Sequence, residues 1–194
     1  MIKNHKVYID ENLILDLPYV KTDDISYFSF NIMGMHKLNK DLAYRLYLKL
    51  KAKDILPQAI ITVESKAIGL VEHLTGFFNL DKYYVVRKSK KSYMNNPISS
   101  NGSSIISKNN IYWLDEDDIK SLIGKNLIFC DDVISTCGTI EAVKKILNKY
   151  DVKVEAYATV LSEGTDWLSI NGIEVVKLGH FPLPGKESNG EIND

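Results

Sequence analysis

Asp131 and Asp132 stand side by side after an apolar run, Leu127, Ile128, Phe129 and Cys130, and shortly before a loop of small polar residues, Ser135, Thr136, Cys137, Gly138 and Thr139. A run of that kind crosses the buried middle of a parallel sheet, so the two carboxylates are expected at its carboxyl end. The loop offers hydroxyls and a flexible backbone, and a helix following it aims unpaired N–H groups back at the loop, which makes a cradle for a phosphate. Two carboxylates beside an anion site repel the anion unless they face something else. Vicinal ribose hydroxyls or a magnesium ion suit them. The stretch from Asn126 to Ile140 therefore reads as a grip for a ribose 5-phosphate, where an acidic pair alone would be a turn or a helix cap.

Two basic positions belong to the same chemistry. Lys66, in Glu64-Ser65-Lys66, sits in a tight turn between a strand and a helix, which gives a second anion position at a helix N-terminus. Arg87 and Lys88 close another strand, with Lys90 and Lys91 just beyond. An arginine there can chelate phosphate oxygens through two parallel bonds, whereas lysines add charge without fixed geometry. The plainer alternatives are a solvated helix-start lysine and a charge run edging a strand. Cys137 reads first as a small residue tolerated in its loop and second as a redox-sensitive thiol activated by a helix N-terminus.

The elements that must hold these residues are legible from periodicity. Leu38, Leu42, Leu46 and Leu50 recur at helical spacing between Leu38 and Lys53, and Gln58 to Val63 is a β-branched buried strand. Ala67 to Thr75 reads as a helix ended by Gly76, and Tyr83 to Val86 as a strand. Asp115 to Ile123 forms a short helix, Thr139 to Tyr150 an amphipathic one, and Val152 to Leu161 and Ile173 to Leu178 are further strands. Strands alternating with helices predict an α/β fold, a mostly parallel twisted sheet flanked by helices, with ligands at the carboxyl ends of the strands. Residues 1–36 look like a packed flap or hood more than a layer of sheet. The polar stretch 89–110 is expected to be a flexible lid, with Tyr93 and Met94 either touching the ligand when it closes or simply packing the loop, and 182–194 a frayed tail.

Composition narrows the class further. The 194 residues are 45% hydrophobic, enough to bury a core, and the length favours one domain spanning 1–194. With 25 acidic and 24 basic residues, no excess positive charge points to nucleic acid. Cys130 and Cys137 lack the spacing of a zinc site or a disulfide framework, and no segment has the length of a membrane span. The four histidines, His5, His36, His73 and His180, have no metal or triad spacing. The expectation is a cytoplasmic protein with no membrane partner.

The segment NLIFCDDVISTCGTI resembles the phosphoribosyl diphosphate (PRPP) motif of type I phosphoribosyltransferases, and VVRKSKKSYM resembles the start of the flexible loop in their adenine-specific branch. The likeness covers most of residues 20 to 180 and implies the type I phosphoribosyltransferase fold with a small hood and a lid. It implies that Asp131 and Asp132 hold the ribose hydroxyls, also meeting magnesium indirectly through Mg-PRPP, and that Ser135, Thr136, Cys137, Gly138 and Thr139 hold the 5-phosphate. Glu64, Ser65, Lys66, Arg87, Lys88 and Lys91 would bind diphosphate, with Arg87 and Lys66 neutralising it as it leaves. A purine base, adenine first, would lie between Val133 and Ile134 and a hood from Phe28 or the segment around Leu161. A homodimer is also implied.

Two departures from the family pattern accompany the resemblance. Cys137 stands where the loop usually has its first glycine, and no Glu or Asp occurs between Lys88 and Leu114 to assist proton transfer at the base. A PRPP- or nucleotide-sensing regulator without catalysis is the alternative they leave open.

Overall fold

The computed structural model describes residues 4–23, 25–102 and 110–184. The chain begins with two antiparallel hairpins, β1 (His5–Asp10) with β2 (Leu13–Leu17), and β3 (Tyr19–Lys21) with β4 (Ser26–Phe28). The flap expected over 1–36 is therefore partly sheet. Val7, Leu15 and Leu17 alternate inward, and the Asp10 carboxylate closes the first turn by accepting from the Asn12 and Leu13 N–H groups.

Helix α1 (His36–Ala52) follows, then β5 (Ala59–Val63), α2 (Ile68–Phe77) and β6 (Tyr84–Val86). Gly76 does not end α2 but lies inside it. Asn79, at φ +54°, takes the left-handed position instead, and its N–H donates to the Gly76 carbonyl. A hairpin of β7 (Pro97–Gly102) and β8 (Asn110–Asp115) occupies the expected lid and runs past it, while 103–109 lie outside the described residues. At Gly102 an added Cβ would sit 2.7 Å from Ala142 Cβ and 2.8 Å from the Gly138 carbonyl oxygen, so the hairpin is pressed against the helix after the polar loop. The short helix α3 (Glu116–Lys120) is N-capped by Asp115, whose side chain accepts from the Asp117 N–H.

The last third holds β9 (Leu127–Ile134), α4 (Gly138–Leu147), β10 (Val154–Glu163), β11 (Ser169–Ile170) and β12 (Ile173–Phe181). The main sheet has the order β11-β12-β10-β9-β5-β6, parallel except for β11. Alternating side chains send Ile60, Ile128, Cys130 and Ala158 to one face, against α1 and α2, and Ile61, Phe129 and Tyr157 to the other, against α4. Leu42, Leu46 and Leu50 are fully buried, each worth about 1.5–3 kcal/mol of transfer free energy.

The sheet order places the site. The chain moves outward from β5 to β6 on one side and from β9 through β10 to β12 on the other, so the switch in direction lies between β5 and β9. Beyond the Ile61↔Phe129 pair β9 keeps only its β10 neighbour, as far as Ser162↔Ile134. A crevice opens where β9 leaves β5. The acidic pair consequently lies within β9, not at its end as the sequence suggests, because pairing to β10 continues the strand through it.

Candidate active site

A cavity of about 430 Å³ fills that crevice. Its floor is β9 and the following loop: Asp131, Asp132, Val133 and Ile134, then Ser135, Thr136, Cys137, Gly138 and Thr139. Glu64, Ser65, Lys66 and Lys88 line the side beneath the ends of β5 and β6, and Phe28 and Phe181 the opposite end. Fourteen of the positions predicted from sequence thus converge on one space.

Asp132 is 7% exposed, and its Oδ2 is buried without a hydrogen-bond partner. Asp131 Oδ1 accepts from the Asp132 N–H at 2.9 Å. Burial pushes both carboxyls upward; the neighbouring Asp132 charge adds to this at Asp131, whereas Lys66 pulls Asp132 back down. An orphaned acceptor in a pair that resists its own charge is suited to hydroxyl donors or a cation. For magnesium the donor set fits in a limited sense: no three His, Cys, Asp or Glu side chains converge among the described residues, so the ion would take its other ligands from substrate oxygens and water.

The phosphate loop depends on an unusual residue. Cys137 is the N-cap of α4 at φ +62°, ψ +1°, a left-handed conformation that costs a non-glycine residue about 1–2 kcal/mol. The sequence expectation that this position calls for glycine's freedom is met by geometry. No side chain caps α4, which leaves its N-terminal end to a ligand. Burial and the Glu141 charge push the Cys137 thiol up, the opposite direction from an activated thiol. The loop is pinned from outside: Trp167 Nε1 donates to the Ser135 carbonyl at 2.9 Å, and Tyr112 Oη lies 3.3 Å from Thr139 Oγ1.

Beneath the other edge, the Glu64–Ser65 peptide is cis and Lys66 Nζ donates to the Phe30 carbonyl at 3.1 Å. Arg87 departs from expectation. It does not line the cavity: its Nε lies 3.0 Å from Glu64 Oε2, near enough for an ion pair but not aligned as a hydrogen bond, and its backbone bridges to Trp113. Glu64 also accepts from the Lys88 N–H and lies 3.9 Å from Lys91 Nζ, so it organises the basic strand end and leaves Lys88 facing the cavity. Lys91 and the exposed Tyr93 lie outside the cavity.

At the far end the hood is ordered around Phe28, whose ring is 5.1 Å from His5, 5.9 Å from Tyr19 and 6.5 Å from Phe181. Asn39 holds the hood's base by donating to the Ile32 and Met35 carbonyls. Leu161 is a correction: it is fully buried in the core and does not line the cavity. Glu163 and Phe181 take that place, and the sequence reading missed both. The available signal was a carboxylate followed by glycine at the end of the apolar run Val160–Leu161, the same grammar that marked Asp131.

A mostly parallel sheet with a carboxylate pair and an uncapped helix N-terminus gathered at its switch point has the architecture of a ligand-binding α/β protein. Residues 30–179 match the phosphoribosyl transferase domain, and the chain belongs to that family. It is 26% identical over 169 residues to a hypoxanthine/guanine phosphoribosyltransferase of Methanothermococcus okinawensis, covering 86% of this chain and 85% of the relative. The adenine phosphoribosyltransferase of Thermoanaerobacter pseudethanolicus has the same fold, with a TM-score of 0.66 at 18% identity over 85% of this chain and 95% of that one. So does the Giardia lamblia enzyme complexed with 9-deazaadenine, at a TM-score of 0.65 and 12% identity over 85% and 93%. The type I phosphoribosyltransferase fold with an adenine-enzyme-like architecture is thus established. Among the described residues no helix is long and apolar enough to cross a membrane.

Proposed function

We propose that the protein transfers the 5-phosphoribosyl group of PRPP to a purine, releasing diphosphate and a nucleoside monophosphate. The observation that carries this reading is the meeting, in one cavity, of the acidic pair, the α4 phosphate loop, Lys66 and Lys88, and an aromatic hood. Family membership and the purine-specific names of the relatives support it. Adenine is the first acceptor on fold likeness; the curated relative brings hypoxanthine and guanine in beside it.

The residues divide the work. Asp131 and Asp132 receive the ribose hydroxyls and favour positive charge on the ring, and the loop from Ser135 to Thr139 holds the 5-phosphate against the α4 N-terminus. Lys66 and Lys88 neutralise diphosphate, while Arg87 acts through Glu64 to hold that edge in place. Magnesium, when bound, adds charge neutralisation on the diphosphate. Phe28, Phe181, Val133 and Ile134 enclose the base and keep water from the reactive carbon. We read the molecule as a single catalytic domain, a cytoplasmic homodimer.

The test is a panel of adenine, hypoxanthine, guanine and xanthine with PRPP and magnesium, followed by diphosphate release. Turnover on at least one purine is expected. PRPP binding without turnover on any base overturns the enzyme and favours a sensing protein.

A further inference from the structure

Four carboxylates line the cavity among the described residues: Glu64, Asp131, Asp132 and Glu163. Three have work already. Glu64 is engaged with Arg87 and the Lys88 N–H, and the acidic pair belongs to the ribose end. Glu163 has no part in either arrangement.

Its position is well fixed. Glu163 ends β10 in register with Phe181 of β12, the Gly164 N–H donates to the Phe181 carbonyl at 2.9 Å, and the Thr165 N–H donates to the Glu163 carbonyl at 2.9 Å. Its half-buried carboxylate lines the same cavity as Ser135, the first hydroxyl of the loop before α4, and stands near enough for that hydroxyl to favour its charge. The carboxylate therefore stands between the aromatic end, where a base would lie, and the loop that holds the 5-phosphate. An acceptor ring nitrogen must occupy that junction to meet the ribose carbon. Burial pushes the Glu163 carboxyl up, with Ser135 and the Lys66 charge opposing, which suits a group that receives a proton.

The reaction needs such a group. As the ring nitrogen bonds to C1′ and the C1′–oxygen bond to diphosphate breaks, the electron pair of that bond leaves with the diphosphate. The N–H pair stays on the purine, and its proton must go elsewhere. Between Lys88 and Leu114 there is no Asp, Glu or His to take it. Resting on the transferase reading above, we propose that Glu163 accepts the proton of the acceptor's ring nitrogen, a task carried here by the end of a core strand instead of by the lid.

The test compares wild type, Glu163→Gln and Glu163→Asp with the best purine from the panel and with its 8-aza analogue, whose ring N–H is more acidic. PRPP binding is measured in parallel by calorimetry. A 10²–10³-fold loss of kcat in Glu163→Gln is expected, with PRPP affinity within about twofold, smaller loss on the 8-aza base, and partial recovery in Glu163→Asp. The acidic limb of the kcat profile should change in Glu163→Gln, losing the part due to Glu163 and keeping only that of the acidic pair. Other charged groups around the site are Lys66, Lys88, Glu64 and the acidic pair, with His180 of β12 bonded to Ser162 and near Asp166, and these remain in every variant. Unchanged kcat and acidic limb, or equal losses on both bases together with lost PRPP affinity, overturn the proposal. An active wild type with an unaffected Glu163→Gln overturns this role alone; a wild type inert on every base overturns the transferase reading beneath it.

Discussion

The end of the cavity proposed for the ribose phosphate comes from one unbroken segment, β9 through the start of α4, whereas the end proposed for the base is assembled from Phe28, Val133, Ile134, Glu163 and Phe181 on four separate strands, β4, β9, β10 and β12. The first is rigid by construction, because pairing to β10 and the first turn of α4 fix the backbone that carries its donors and acceptors. The second depends on the hood hairpin meeting β12, with ring contacts as its main tie. On the proposed function, specificity for the acceptor would reside in the assembled end and could change without disturbing the contiguous one.

Asp131→Asn should produce the largest difference between the two ends. Turnover should fall by at least about 10³-fold, since a charge present for the transition state is lost, while the folded protein gains stability. The sign follows from burial: both carboxyls titrate above their ordinary range in the fold, so the pair contributes stability at low pH and loses it as pH rises through the folded values. The variant's advantage in thermal unfolding should thus be present at neutral pH and shrink toward the ordinary aspartate range. About 2–4 °C is expected for each kcal/mol relieved. Unchanged activity would remove the ribose grip from the scheme.

Phe28→Ala tests the other end. The Michaelis constant for the base should rise by roughly tenfold, in keeping with one lost aromatic contact of about 1–1.5 kcal/mol, and the PRPP constant should stay near wild type. Parallel loss for both substrates would mean that the hood supports the whole site. Cys137→Gly is the smallest change. Relief of the left-handed backbone is partly offset by glycine's larger entropy loss, so unfolding should shift by less than about 1 kcal/mol. Phosphate affinity, read by titration with ribose 5-phosphate, should rise up to about fivefold, and no gain would indicate a loop adapted to its cysteine.

The same division explains what the amino-acid order reveals. The grip was legible because its residues are contiguous and obey local rules, an apolar run followed by acids, hydroxyls and a helix start, and even the demand on position 137 could be read. The parallel sheet was legible from alternating periodicities. A strand-end arginine such as Arg87 looks available in the amino-acid order, but Glu64, 23 residues earlier, engages it through a contact no local pattern announces. The apolar pattern stops at Leu161, two residues short of Glu163, because strand ends are poorly marked when pairing, not propensity, decides where they stop. The N-terminal hairpins were obscured by their shortness and by aromatic residues that serve the hood.

Gly102 has a consequence for how such a chain can drift. The β7–β8 hairpin and α4 meet there with no space for a methyl group, and the obstacles are of different kinds: Ala142 Cβ, the Tyr112 ring and the Gly138 carbonyl. Reducing Ala142 to glycine would clear the first and leave the backbone oxygen in the way. No single compensating substitution frees position 102, so descendants of this sequence can rewrite the lid around it while that glycine stays a fixed point of their history.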